Sequence, residues 1–76
     1  MIVGNLVKII EPNNFEEWQK DKLAIITDKS DKPNLLLDGT EQYSYELFIF
    51  EDNQHHAWFW DNQIEFVKDF FKEYRT

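Results

Sequence analysis

The absence of cysteine from a chain of only 76 residues constrains its fold more than any other feature. At this length apolar burial and ordering entropy, about 1.5 kcal/mol per residue, nearly cancel. Small domains often close that gap with disulfides or a thiolate zinc site, and neither is open to this chain. Its remaining resource is aromatic. Seven Phe, three Tyr and three Trp are available, and each ring that is buried removes about 150–250 Å² from water. The length admits one domain, residues 1–76, and no repeat, low-complexity tract or linker divides it.

The apolar residues fall into short runs with the period of strands. Residues 2–10 are β-branched and end before Pro12, and Gly4 near their start suggests a bulge or a close backbone approach. Residues 23–28 form a second run. Leu35–Leu37 and the segment that begins at Glu41 flank Asp38-Gly39, a strong hairpin signal. Along residues 42–50, Tyr43, Tyr45, Leu47 and Ile49 alternate with Ser44, Glu46, Phe48 and Phe50. The second set starts polar and ends aromatic, so this strand is expected to become buried on both sides. Residues 55–60 place His56, Trp58 and Trp60 on one face and His55, Ala57 and Phe59 on the other.

Two segments read as helical. Asn14 and Glu17 have capping-box spacing, and Phe15 and Trp18 share a face, which points to one or two helical turns or an ordered loop over Pro12–Lys22 that plugs one end of the core. After Trp60 the pattern divides. Asp61-Asn62-Gln63 is either a tight turn into a short strand at 64–67, followed by a helical tail from Lys68, or the start of a continuous helix capped by Asn62. The first alternative is preferred. The expected fold is mainly β: a small five-stranded SH3-like barrel with a short helical insert after strand 1 and a C-terminal helical tail.

The order of three segments carries a resemblance. They are Gly4-Asn5-Leu6-Val7-Lys8-Ile9, then Ala24–Asp28, then Trp58–Val67 with its Ile64-Glu65-Phe66-Val67 ending. Together they resemble the small SH3-like barrel proteins encoded by tailed bacteriophages, notably those of marine cyanobacteria. In that pattern a Gly-Asp-Leu-Val opening precedes a Gly-Ile-Val-Thr strand, and a Trp-rich strand and an Ile-Glu-Val segment close the chain. Ala24 stands where the pattern has Gly, the Pro12–Lys22 insert is longer than its first loop, and Lys68–Thr76 lies outside it. The resemblance implies a barrel and a viral setting, in the host cytoplasm or the virion. It carries no defined activity, and a fold alone does not supply one.

Charge narrows the partners. Fifteen acids against eight bases give −7, with −2 on residues 1–38 and −5 on residues 39–76. A nucleic-acid binder needs a basic track to displace counterions, so nucleic acid and anionic lipid are disfavoured. No apolar run reaches the ~20 residues of a membrane span, and Met1–Ile10 does not read as a signal peptide. No cofactor is expected. His55 and His56 are adjacent and should point to opposite faces of a strand, which disfavours a shared metal ion. No Ser, Thr or carboxylate falls into a recognised catalytic arrangement, and Gly4 and Gly39 are the only glycines, so no phosphate loop is present. The chain is therefore expected not to be an enzyme.

The candidate binding residues are aromatic and acidic. Tyr43, Tyr45, Trp58 and Trp60 on neighbouring strands, with Trp18 beside Glu16, Glu17 and Asp21, have the composition of a peptide groove next to an acidic loop. The competing expectation is that at least three of those five rings form the core. Phe70, Phe71 and Tyr74 in the tail would either pack on the barrel or make a homodimer contact. The function expected is a non-enzymatic protein-interaction module, a phage accessory or virion-associated protein. The alternative is an acidic inhibitor of a host factor that acts by mimicking the charge of DNA.

Overall fold

A computed structural model of the chain describes residues 1–50 and 56–69. Seven strands follow in order: β1 (Asn5–Ile9), β2 (Leu23–Lys29), β3 (Asn34–Leu35), β4 (Glu41–Gln42), β5 (Ser44–Ile49), β6 (His56–Trp60) and β7 (Ile64–Asp69). Five make one antiparallel sheet in the order β6-β5-β2-β1-β7, while among the described residues β3 and β4 pair only with each other. The protein is mainly β, and the expected strands at 2–10, 23–28, 42–50, 55–60 and 64–67 correspond to the five of the main sheet.

Register decides which side chains meet. Leu47 lies opposite Ile26 on β2 and Ala57 on β6, and Tyr45 lies opposite Phe59. Val7 lies opposite Ala24, and Ile9 opposite Ile64. With Ile49 these side chains close one face of the sheet and form the buried core. Burying one such aliphatic side chain contributes about 1.5–3 kcal/mol. β-Branched residues fill β1 and β2 because a branched Cβ packs well on a pleated surface. Gly4 is the close approach its position suggested: its φ is +95°, and its N–H donates to the Ile26 carbonyl at 2.9 Å.

The sheet is open, which corrects the expectation of a closed barrel. Its two edges, β6 and β7, are joined in sequence by a single 3₁₀ turn, Asp61–Gln63, and among the described residues no ladder pairs them. Two backbone groups of the β6 edge bond to side chains instead. Asn13 Nδ2 donates to the Trp58 carbonyl at 3.2 Å, and the Trp60 N–H donates to Gln63 Oε1 at 2.8 Å.

The helical expectations are also corrected. The insert contains one 3₁₀ turn, Glu17–Gln19, whose N-cap is Glu16 with no side-chain cap bond, so Asn14 does not form the capping box. Phe15 and Asp21, on either side, take φ of +67° and +66°, which breaks any longer helix. The insert does not plug the core with its aromatics. Phe15 is fully exposed, and the side chain buried there is Gln19. Beyond Trp60 the continuous helix is absent, because Ile64–Asp69 is a strand. Lys68, where the tail was expected to turn helical, still pairs with Leu6. The remaining tail, Phe70–Thr76, lies outside the described residues. Phe50 is exposed, so β5 is not buried on both sides at its end.

Candidate functional site

The expected aromatic groove does not form as one surface, and strand periodicity is the reason. Tyr45 and Phe59 pair on the core side, so Trp58 and Trp60, each one residue away from Phe59, point to the other. Tyr45 is buried in the core and Tyr43 packs against it, which removes Tyr45 from the binding set. Burial, followed by the charges of Asp61 and Tyr43, raises the Tyr45 phenol above its ordinary value. Lys29 Nζ sits 4.3 Å from the Tyr43 ring centroid in a cation–π contact.

Three tryptophans remain at the surface: Trp58 is 46% exposed, Trp60 41% and Trp18 39%. The expectation that at least three of the five rings would be buried is therefore overturned. Trp18 Nε1 donates to Glu16 Oε2, so the acidic loop holds its own indole. Glu17 opens the 3₁₀ turn and is exposed. Asp21 stands 3.8 Å from Lys8 Nζ. Phe70 and Tyr74 lie outside the described residues, as does His55. His56 is exposed, with Nδ1 3.9 Å from Glu46 and its ring packed edge-on against Phe48 at 5.0 Å. Among the described residues no cluster of three potential metal ligands occurs.

A cleft of about 310 Å³ lies where the insert meets the turn after β6. Glu11, Pro12, Asn13 and Asn14 form one side, and Trp60, Asn62 and Gln63 the other. An amide network holds these sides together. Gln63 Nε2 donates to the Glu11 carbonyl at 3.1 Å and to Asn13 Oδ1 at 2.9 Å, and the Gln63 carbonyl accepts the N–H groups of Ile10 and Glu11. The Asn13 N–H donates to Gln19 Oε1 at 3.1 Å, which gives the buried Gln19 amide a partner. Among the described residues, every buried side-chain polar atom has a hydrogen-bond partner.

The network leaves a definite set of groups facing outward. Asn13 and Gln63 are spent on bracing. The Trp60 indole and the Pro12 ring supply apolar wall, the Asn14 and Asn62 amides supply donors and acceptors, and Glu11 is the one titratable side chain in the lining. Such a set can take up an extended polar chain with a cationic group: the indole face attracts a cation, and the carboxylate neutralises it. Sequence reasoning singled out Trp60 but missed Glu11, Pro12, Asn13, Asn14 and Gln63. Gln63 and Asn13 stand fifty positions apart, and no local pattern couples them. No protein family, no curated protein and no solved structure matches the chain.

Proposed function

We propose that this chain is a non-enzymatic protein-interaction module whose cleft receives an extended, proline-containing peptide with an arginine or lysine beside the proline. The observation that carries this reading is a braced cleft with an exposed tryptophan, a proline and a single carboxylate, Glu11. The order β6-β5-β2-β1-β7, with a one-turn link between its edge strands, supports an SH3-like connectivity. The proposed setting is that of a phage accessory or virion-associated protein acting in the host cytoplasm. The acidic balance suits a basic partner by raising its association rate. Charge mimicry of DNA has less support, because carboxylates on the sheet alternate with lysines: Lys8 lies opposite Glu65 and near Asp21.

Titration of a panel of proline-rich peptides against the intrinsic tryptophan fluorescence tests the proposal. Basic peptides should bind and acidic ones should not. Trp60→Ala and Glu11→Gln should each weaken binding about tenfold, the size of one good polar or cation–π contact. Equal affinity for acidic and basic peptides, or no effect of Trp60→Ala, would sink the proposal.

A further inference from the structure

The turn beside the cleft carries a side chain from which the fold gains nothing. Phe15 is fully exposed, so its ring is as open to water as in an unfolded chain. Its backbone is unfavourable as well. The Glu16 N–H donates to the Asn13 carbonyl at 3.0 Å, which closes a β-turn with Asn14 and Phe15 at its centre. Phe15 takes φ +67° while Asn14 keeps a negative φ, the signs of a type II turn. The second central position of such a turn suits glycine or asparagine, because a Cβ there crowds the following carbonyl. The β3–β4 arm shows the ordinary solution. Leu37 at its tip is equally exposed, but the positive φ of that loop, +89°, falls on Gly39. Over Asn13–Glu16 the chain instead puts a bulky aromatic on the glycine position and leaves the ring outside.

A residue held in such a conformation persists only where its surroundings over-determine it, and such residues cluster at binding sites. The surroundings of Phe15 do over-determine it. Asn13, the first residue of the turn, is held through its N–H, its carbonyl and both ends of its amide: by Gln19 Oε1, the Glu16 N–H, Gln63 Nε2 and the Trp58 carbonyl. On the far side, the Gln19 N–H donates to the Glu16 carbonyl at 3.0 Å, and the Glu16 carboxylate accepts from the Trp18 indole. The ring is thus presented from a fixed backbone. A phenylalanine on a braced turn has two side-chain torsions to lose when something packs on it, so it can bind at low entropic cost.

Position says what packs there. Asn13 and Asn14 line the cleft, and Phe15 is the next residue, so a peptide leaving the cleft on this side runs onto the turn. We infer that Phe15 is a second, apolar contact for the cleft's peptide, which therefore carries an aliphatic residue flanking its proline and its arginine or lysine. The inference rests on the peptide reading of the cleft and adds to it a requirement on the ligand's sequence.

A leucine scan against wild-type and Phe15→Gly proteins, read by tryptophan fluorescence, tests it. The parent peptide has one proline beside one arginine and only glycine and serine elsewhere. Each derivative changes a single flanking position to leucine. On one side of the proline, leucine should strengthen binding to the wild type about fivefold, the size of one contact with an aromatic ring. The same leucine should add nothing with Phe15→Gly. That variant should melt no lower than the wild type, because no buried ring is lost and glycine relieves the backbone. Phe15→Asn, which also suits the turn, should match it. If the parent peptide binds and Trp60→Ala weakens it, the cleft reading stands. A leucine that helps at no position, or helps both proteins equally, then overturns the inference alone. A parent peptide that does not bind overturns the cleft reading and the inference with it. A Phe15→Gly protein that melts well below the wild type also overturns the inference, because the ring would then be supporting the fold.

Discussion

The two long excursions from the sheet are built on opposite plans. Residues 10–22 run from β1 to β2 and are sewn to the body by Asn13 on the Trp58 carbonyl and by Gln63 on Glu11 and Asn13, while Gln19 ties Asn13 within the loop. Residues 31–42 satisfy their polar groups almost wholly among themselves, through the Asp38–Thr40 and Leu36–Thr40 bonds and the β3–β4 ladder. Both are polar on average, and composition alone does not tell them apart. Where the hydrogen bonds go does. The first excursion should lose its shape only when the body does, whereas the second should open and close on its own.

The largest test of that contrast is Gln63→Ala. It deletes three side-chain bonds at once and strands the Trp60 N–H, the Glu11 carbonyl and the Asn13 amide. Unpaired groups of this kind cost about 1–3 kcal/mol in total for a partly exposed site. For a domain of this size the midpoint of thermal unfolding should fall by roughly 5–15 °C. A midpoint within about 2 °C of wild type would mean that the insert is not braced by this amide.

Gly39→Ala should act only on the arm. No atom lies within 4 Å of the added Cβ, so the whole penalty is the left-handed backbone at φ +89°, on the order of 1 kcal/mol. Amide exchange at Leu36 and Gly39 should speed up several-fold, while global melting stays put. A matching fall in the global midpoint would show that the arm is coupled to the body and would erase the distinction.

The smallest effect is acidic. Asp38 titrates below its ordinary value of 3.8 because the Thr40 hydroxyl and N–H bond to its carboxylate. A depressed folded-state pKa stabilises the tip above the unfolded value, and the benefit disappears as pH falls through the folded value. The Thr40 amide resonance should therefore move in a single step below pH 3.8. Asp38→Asn should abolish that step. A Thr40 amide that titrates above 3.8 would refute the assignment.

How far the sequence foretold this depends on range. Strands were legible because alternation is a local signal: Tyr45, Leu47 and Ile49 face the core as their spacing predicts. The Asp38-Gly39 turn was legible for the same reason. The insert misled because Asn14 and Glu17 had the spacing of a cap, while the loop is fixed by Gln19 reaching back to Asn13 and by Gln63 from fifty positions away. Aromatic count misled in a different way. Thirteen rings in so short a chain suggested that most must be core, yet the aliphatics of β1 and β2 with Leu47, Ile49 and Ile64 fill it, and only Tyr45 and Phe59 join them fully among the described residues. Trp58 and Trp60 were left for the surface.

The Asn13 bond to the Trp58 carbonyl has a bearing on how such a chain behaves when crowded. A sheet can recruit further copies endlessly only if both of its edges accept a new strand. Here the β6 margin has its Trp58 carbonyl and Trp60 N–H already occupied by side-chain amides. An incoming strand would have to displace those amides before it could form a ladder along this part of β6. The same side chains that brace the insert thus blunt this stretch of edge against strand addition, a safeguard independent of net charge.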